Sequence, residues 1–342
     1  MVIVKKYEKE NYSVLFNDKT GVLLRIEKKG FKEPKYSKHG PELLDVSITN
    51  WCDKGCSYCY RNSNIHGVHI SLEEYKLILK QAQECDVFQI ALGGGNPNQH
   101  PQFCEILKTT REYGIVPSYT TNGRGLTKKI LESTKKYCGA VAVSYSNDNY
   151  FYESINILLS EKIKTNIHFI LSANTIDIAI KWLKEKPKFL ENINAIVFLN
   201  YKPVGNLKFY EKLLNKTNQL EEFFTLISKD DFNFKVGFDS CTISYIVNFL
   251  KEISPSSIER CEAARFSAFI DEKLNFYPCS FMVEQKNGIN IKDNSILEIW
   301  NNSKLFKDFR KDTTKKECIN CINMELCGGG CQLFSEINMK CK

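Results

Sequence analysis

Long apolar runs are missing from this chain of 342 residues. No stretch reaches the roughly 18 apolar residues that a membrane-crossing helix needs, which excludes a span of that kind. The opening M-V-I-V-K-K-Y-E-K-E has no apolar signal core, so a cytoplasmic protein is expected. Histidine is scarce. His39, His66, His69, His100 and His168 are the whole set, and none stands at ligand spacing from another, so no role is assigned to them. A basic stripe is also absent. The net charge of +7 comes from lysine spread along the chain, which reads as a solvated surface and not as a nucleic-acid footprint.

Cysteine, by contrast, is abundant, with 14 in the chain. Without a secretion signal they argue for metal ligation in a reducing compartment, not for a disulfide framework. A hydrophobic content of 43% with 12% aromatics can bury a sizeable interior, and the length suits a large domain plus a smaller one.

The most informative stretch is W-C-D-K-G-C-S-Y-C-Y-R, residues 51–61, with Cys52, Cys56 and Cys59 closely spaced. It follows the apolar run Leu43–Ile48, so the cysteines fall on a loop at a strand end. Three thiolates so spaced can hold an iron–sulfur cube and leave one iron free for another ligand. Zinc, or three unrelated thiols, is the plainer reading; a structural zinc site normally takes four protein ligands, and no fourth Cys or His lies nearby.

Around this loop the chain alternates. Tyr12–Phe16 and Gly21–Ile26, separated by the turn Asn17–Gly21, predict an N-terminal hairpin within a module of residues 1–42. Strands are predicted over Leu43–Ile48, Val87–Leu92, Ile115–Tyr119, Ala140–Val143, Asn166–Leu171 and Ala195–Leu199. Between them lie helices: one opened by the capping box Ser71–Glu74, one by Pro101, one capped by Thr127 and reaching Tyr137, one over Tyr150–Ser160 and one over Ile176–Glu185. Phe209, Leu213, Leu220, Phe223 and Phe224 fit a further helix packed on this domain. Six strand–helix repeats predict an α/β fold, a partial (β/α)6 TIM-like barrel over residues 43–235, too short for a closed barrel of about 250 residues. In barrels the chemistry sits at the C-terminal strand ends. Those ends carry the cysteine loop, then Gly93-Gly94-Gly95-Asn96, then Thr120-Thr121-Asn122, then Ser144, with Asn174 beyond the fifth strand and Pro203-Val204-Gly205 after the sixth. Each is also the kind of residue found in caps and turns.

The cysteine loop, with Tyr58 just before its last cysteine, resembles the signature of the radical S-adenosylmethionine (SAM) enzymes. The resemblance implies a 4Fe–4S cluster on Cys52, Cys56 and Cys59 whose free iron chelates SAM, and a 5′-deoxyadenosyl radical that removes a substrate hydrogen atom. It implies SAM contacts from Tyr58, Gly94, Gly95, Asn96, Thr121, Asn122, Ser144, Asn174 and Gly205. The family usually has Gly-Gly-Glu where this chain has Gly94-Gly95-Asn96, so Asn96 brings an amide without charge.

A second cysteine field begins near residue 241. Cys261, Cys279, Cys318, Cys321, Cys327, Cys331 and Cys341 follow in an order that resembles the SPASM extension of peptide- and protein-modifying radical SAM enzymes. This implies a small cysteine-rich domain, residues 236–342, with two auxiliary 4Fe–4S clusters, three clusters in all. One would take Cys318, Cys321, Cys327 and Cys341; the other Cys261, Cys279 and Cys331, with Cys241 as the candidate fourth ligand. Leu274 stands where the pattern usually has Gly, which puts a tight turn there in question. Gly328, Gly329 and Gly330 suit a backbone wrapped round a cube. Cys85, Cys104 and Cys138 lie on or at the ends of helices and read as buried apolar groups.

The resemblance implies a peptide maturase. It would abstract hydrogen from a residue of a ribosomal precursor peptide or protein, then crosslink or oxidise it, with the auxiliary clusters accepting the second electron. Asp239, beside Cys241, is a candidate base if its environment raises its pKa. Expected partners are the peptide, a separate peptide-recognition protein and a flavodoxin or ferredoxin reductant. A sulfatase-type maturase fits less well, because Ser280 stands where those relatives carry an acidic residue. A small-molecule dehydrogenase fits a shorter extension. A non-catalytic iron–sulfur electron carrier would have clusters but no SAM site.

Overall fold

The computed structural model describes residues 2–206, 208–215, 217–229, 231–254, 257–285, 287–311 and 318–339. In chain order the strands are β1 (Val2–Tyr7), β2 (Tyr12–Asn17), β3 (Leu23–Glu27), β4 (Leu43–Thr49), β5 (Gln89–Gly94), β6 (Val116–Thr121), β7 (Val141–Ser144), β8 (Thr165–Leu171), β9 (Ala195–Asn200), β10 (Lys235–Phe238), β11 (Ser267–Ile270), β12 (Asn275–Tyr277) and β13 (Ile289–Asn290). The helices are α1 (Leu72–Glu84), α2 (Phe103–Glu112), α3 (Lys128–Tyr137), α4 (Asn149–Ser160), α5 (Ile176–Glu185), α6 (Asn218–Lys229), α7 (Ile243–Phe249), α8 (Ile296–Asn302), α9 (Lys304–Phe309) and α10 (Met324–Cys327). Two compact units result, residues 1–53, 63–141 and 263–311 in one and 54–62, 142–262 and 312–342 in the other. Among the described residues no helix is long and apolar enough to cross a membrane.

In the first unit the expected hairpin is β2 and β3, paired antiparallel. Its turn is held by Asn17, whose Oδ1 accepts from the Lys19 and Thr20 amides. The structure adds β1 on the other side of β2. Its connection to β2 is a 3-10 turn ending in Asn11 at φ 59°, which lacks the two-residue hairpin signature. Tyr12, Val14 and Phe16 bury the inner face of β2 against Phe88 and Val116.

β4, β5 and β6 run parallel. Leu44, Val46 and Ile48 of β4 are fully buried, while Leu43 and Asp45, on the opposite face of the strand, are partly accessible. The capping box forms: Ser71 accepts from the Glu74 amide and Glu74 accepts from the Ser71 amide. Such a cap contributes about 1 kcal/mol to α1. Pro101 falls in the turn before α2, which starts at Phe103. β11 returns from far along the chain to pair parallel with β4, Ser267 opposite Leu43, and β12 and β13 continue antiparallel from it. The β11–β12 turn forms with Leu274 in the left-handed region, φ 67°. Asp271 makes this possible: its Oδ1 accepts from the Lys273 and Asn275 amides.

In the second unit the strand order is β10-β9-β8-β7, and β8, β9 and β10 are parallel. β10 was not expected; it is four residues long and interrupted by Gly237. Of the apolar set predicted to share a helix, Leu220, Phe223 and Phe224 lie on α6, while Phe209 and Leu213 flank a separate 3-10 turn. An aromatic core of Tyr145, Phe151, Phe169, Trp182 and Phe198 joins α4 and α5 to the strands.

Candidate functional site

The strand ends of the first unit carry a dense polar network. Gly94 and Gly95 lie so close to the backbone of the residues after β4 that a Cβ on Gly94 would fall 2.0 Å from the Thr49 carbonyl oxygen, and one on Gly95 2.0 Å from that of Trp51. Gly94 also has φ 110°. Glycine is thus required here by packing within the protein. The Gly95 amide donates to Thr49 O and the Asn96 amide to Trp51 O, tying β5 to the entry of the cysteine loop.

Asn96 is fully buried. Its Oδ1 accepts from the Thr121 hydroxyl and the Asn122 amide, both at 3.1 Å. Its Nδ2 donates to Gln99 Oε1 at 2.9 Å and to the Arg124 carbonyl at 3.1 Å. All four hydrogen-bonding positions of the amide are therefore used inside the protein. Thr121 is also buried, and its one hydroxyl proton is shared between Asn96 Oδ1 and Asn98 Oδ1, the latter at 2.7 Å. Asn122, one residue on, donates its Nδ2 to the sulfur of Cys52 at 3.6 Å.

Cys56, Tyr58 and Cys59 belong to the second unit. The Cys59 amide donates to Cys56 O, closing a tight turn. Tyr58 hydrogen-bonds with Cys56 and keeps 37% of its surface exposed. Burial, then the neighbouring thiols, pushes its phenol well above the usual range. Lys54 in the same loop donates to Ser146 at 2.6 Å and pairs with Asp148 at 2.8 Å, anchoring the loop just beyond β7. Gly205, at φ 91°, would place a Cβ 2.1 Å from Cys59 O. Its neighbour Asn206 donates its amide to Cys59 O and its Nδ2 to Cys56 O. Ser144 ends β7, and Asn174 is exposed in the turn before α5.

The later cysteines form a second group. Cys241 and Cys331 share a side-chain hydrogen bond, which holds the Cys241 thiol up and pulls Cys331 down. Cys261 is near enough to act on Cys331 electrostatically. Asn338 clamps Cys331, accepting from its amide at 2.7 Å and donating to its carbonyl at 2.9 Å. Gly330 is at φ 74°, and a Cβ there would fall 2.2 Å from Asn338 Oδ1. The Cys321 amide donates to Cys318 O, and Cys327 is buried with Ile243 and Val247. Cys279 lies in the first unit, at the start of a 3-10 turn. Cys341 lies outside the described residues. Among the described residues no three His, Cys, Asp or Glu side chains are placed to hold a single metal ion.

Asp239 does not stand free beside Cys241. Its Oδ1 accepts from the Thr242 hydroxyl at 2.7 Å and the Asn200 amide at 3.2 Å, and its Oδ2 pairs with Lys202 at 2.8 Å. Sequence reasoning missed Lys54, Lys202, Asn206 and Asn338, whose roles exist only through contacts across the chain. Of the three cysteines read as buried, Cys85 is fully so, against Gly40; Cys104 and Cys138 are only partly covered.

Residues 46–186 match the Radical SAM superfamily model, and residues 261–322 match that of the SPASM iron-sulfur cluster-binding domain. The chain carries a radical SAM domain followed by a SPASM domain. This radical SAM–SPASM chain is 19% identical over 315 residues to the mycofactocin maturase MftC of Mycolicibacterium smegmatis, covering 85% of this chain and 78% of that one. Its fold is shared with Streptococcus suis SuiB bound to S-adenosylmethionine, with a TM-score of 0.74, 16% identity, and 100% and 98% of the two chains covered. SuiB bound to its precursor peptide SuiA gives a TM-score of 0.71 at 15% identity, covering 100% and 99% of the two chains. Native anSMEcpe with bound AdoMet gives 0.65 at 20% identity, covering 88% and 92%. The donors present suit iron–sulfur ligation: grouped thiols, a side-chain N–H aimed at Cys52 sulfur, and glycines that bring backbone close to the cysteine loops.

Proposed function

We propose that the protein is a maturase that removes a hydrogen atom from a residue of a ribosomally made precursor peptide or small protein and then crosslinks or oxidises it. The observation that carries this reading is the second thiol group, Cys241, Cys261 and Cys331, built onto a radical SAM domain. A carbon radical left on a peptide must lose a further electron to become a crosslink, carbonyl or alkene, and a second set of clusters gives that electron somewhere to go. The maturase names of MftC and the peptide complex of SuiB support the same substrate class.

Three 4Fe–4S clusters are assigned: one on Cys52, Cys56 and Cys59, one on Cys241, Cys261, Cys279 and Cys331, and one on Cys318, Cys321, Cys327 and Cys341. When bound, SAM and the first cluster supply a hydrogen-atom abstractor. The chain's own residues place it. Gly94, Gly95 and Gly205 set the backbone against the cysteine loops, and Tyr58, Thr121, Ser144 and Asn174 offer hydroxyl or amide groups to the cofactor. Asn122 donates to Cys52 sulfur. Asn96 acts at one remove, holding Thr121 and Asn122 in place. Asp239, engaged on both oxygens, serves as a positioning residue in place of a base. The working division is residues 1–42, 43–235 and 236–342. The setting is cytoplasmic, with a flavodoxin or ferredoxin as reductant and a separate protein for peptide recognition.

The test is co-expression with candidate short precursor peptides, followed by mass spectrometry. Loss of hydrogen from one residue, abolished by Cys56→Ala, is expected. An unchanged peptide from protein with intact clusters would contradict the proposal.

A further inference from the structure

The N-terminal sheet of β1, β2 and β3 has an outer face that its sequence leaves apolar. Tyr12, Val14 and Phe16 turn inward onto the core. Residues between them on each strand point the other way. Val4 lies opposite Leu15, and Leu15 opposite Leu24, with Val2 and Ile26 in the flanking rows. Val2, Val4, Leu24 and Ile26 are 50% to 56% exposed. An antiparallel sheet with one solvated face ordinarily alternates apolar in and polar out. These outward residues break that alternation.

The charges around the face are mostly of one sign. Lys6, Lys9, Lys19, Lys28 and Lys29 are exposed there, against the exposed acids Glu8 and Glu27. None of the five lysines has an ion-pair partner among the described residues. Cations on the inner side differ: Lys5 pairs with Asp86, and Arg25 with Glu42.

An apolar centre with a charged rim is the anatomy of a recognition surface. Three strands of five residues present about 14 by 17 Å, roughly 250 Å². A specific protein–protein interface takes about 800 Å² from each partner. Face-to-face contact with a second copy would also set lysine against lysine. The face therefore suits one short segment, apolar along one side and acidic at its margins.

We propose that the outer face of β1, β2 and β3 holds an acidic, amphipathic segment of the substrate peptide, distinct from the residue that is modified. This rests on the function proposed above, and it gives the chain its own grip on the peptide beside that of a separate recognition protein. Val4, Leu15 and Leu24 take the apolar side. The lysines pair with the acidic margins, so binding weakens with salt.

The experiment is fluorescence anisotropy on the full chain with two labelled probes. One is an amphipathic peptide of leucine and glutamate, about 12 residues and about 18 Å long as a helix. The other is its leucine–lysine counterpart. Saturable binding of the leucine–glutamate peptide alone is expected. The double variant Leu24→Gln, Ile26→Gln should weaken it by about tenfold. So should Lys6→Glu with Lys28→Glu, and so should salt raised from about 0.1 to 1 M, which shortens the screening length from about 10 to 3 Å. If the glutamine variant does not fold, the charge reversals at the exposed lysines decide the matter. No binding, or equal affinity in wild type and variants, would overturn the proposal. So would binding to phosphatidylcholine–phosphatidylglycerol vesicles in place of the peptide, or a dimer in sedimentation that the same variants dissociate. 5′-Deoxyadenosine formation from SAM is read on the same samples. Its absence from wild type would overturn the enzymatic reading, whereas its presence without peptide binding would overturn the docking face alone.

Discussion

Asn122 donates its side-chain amide to the sulfur of Cys52 at 3.6 Å, while its Oδ1 accepts from the Arg124 amide. The contact ties the end of β6 to a cysteine of the radical SAM loop. Hydrogen bonds to cluster sulfurs stabilise the reduced state. Asn122→Ala is expected to make the first cluster harder to reduce, with iron content unchanged. The check is its midpoint potential; a value equal to wild type would remove Asn122 from the electronics of the site.

Gly205 combines φ 91° with a Cβ position 2.1 Å from Cys59 O. Gly205→Ala must push the cysteine loop aside or distort the turn, at a cost of about 1–3 kcal/mol. Thermal unfolding should show this, and reconstitution should leave the first site short of iron while the later cysteines still load. Full loading with unchanged stability would contradict the close packing.

Asp45 faces away from the fully buried Leu44 and Val46, in register with Phe269 of β11 and Ala91 of β5. Burial pushes its carboxyl up to about 6. The unfolded chain ionises at its ordinary value of about 3.9, so between that pH and 6 the folded state binds the extra proton. Stability should fall as pH rises through this window and level off above it, by at most about 3 kcal/mol. Asp45→Asn should flatten the dependence and be the more stable protein at pH 7. Denaturant unfolding at pH 5 and pH 7 tests both.

Leu274 sits in the left-handed region yet is 1% exposed. Glycine would relieve roughly 1–2 kcal/mol of backbone strain. It would also empty a buried leucine site, which costs about 2–5 kcal/mol for truncation to alanine. Leu274→Gly is therefore expected to lower stability, by up to about 4 kcal/mol. Chemical denaturation would detect it; a stabilised variant would show that strain outweighs packing.

Local signals made much of this fold legible. β4 to β9 and α1 to α5 follow from apolar periodicity, and caps such as Ser71 and Thr127 act within a few residues of themselves. The parallel pairing of β11 with β4 joins residues more than two hundred positions apart, which no periodicity encodes. β10 is too short and glycine-broken to stand out. The cysteines made the radical SAM and SPASM domains legible by their spacing. What surrounds them was not legible in this way: Asn96 looked like a ligand contact and is consumed by its neighbours, and Asp239 looked like a base and is claimed by Lys202. Lone polar residues in a sequence do not reveal their partners.

The most direct test of the whole account is reductive cleavage of SAM. Anaerobically reconstituted wild-type protein, reduced with dithionite, should produce 5′-deoxyadenosine from SAM, and Cys52→Ala, Cys56→Ala and Cys59→Ala should each abolish it. No 5′-deoxyadenosine from wild-type protein whose clusters are spectroscopically reduced would contradict the account.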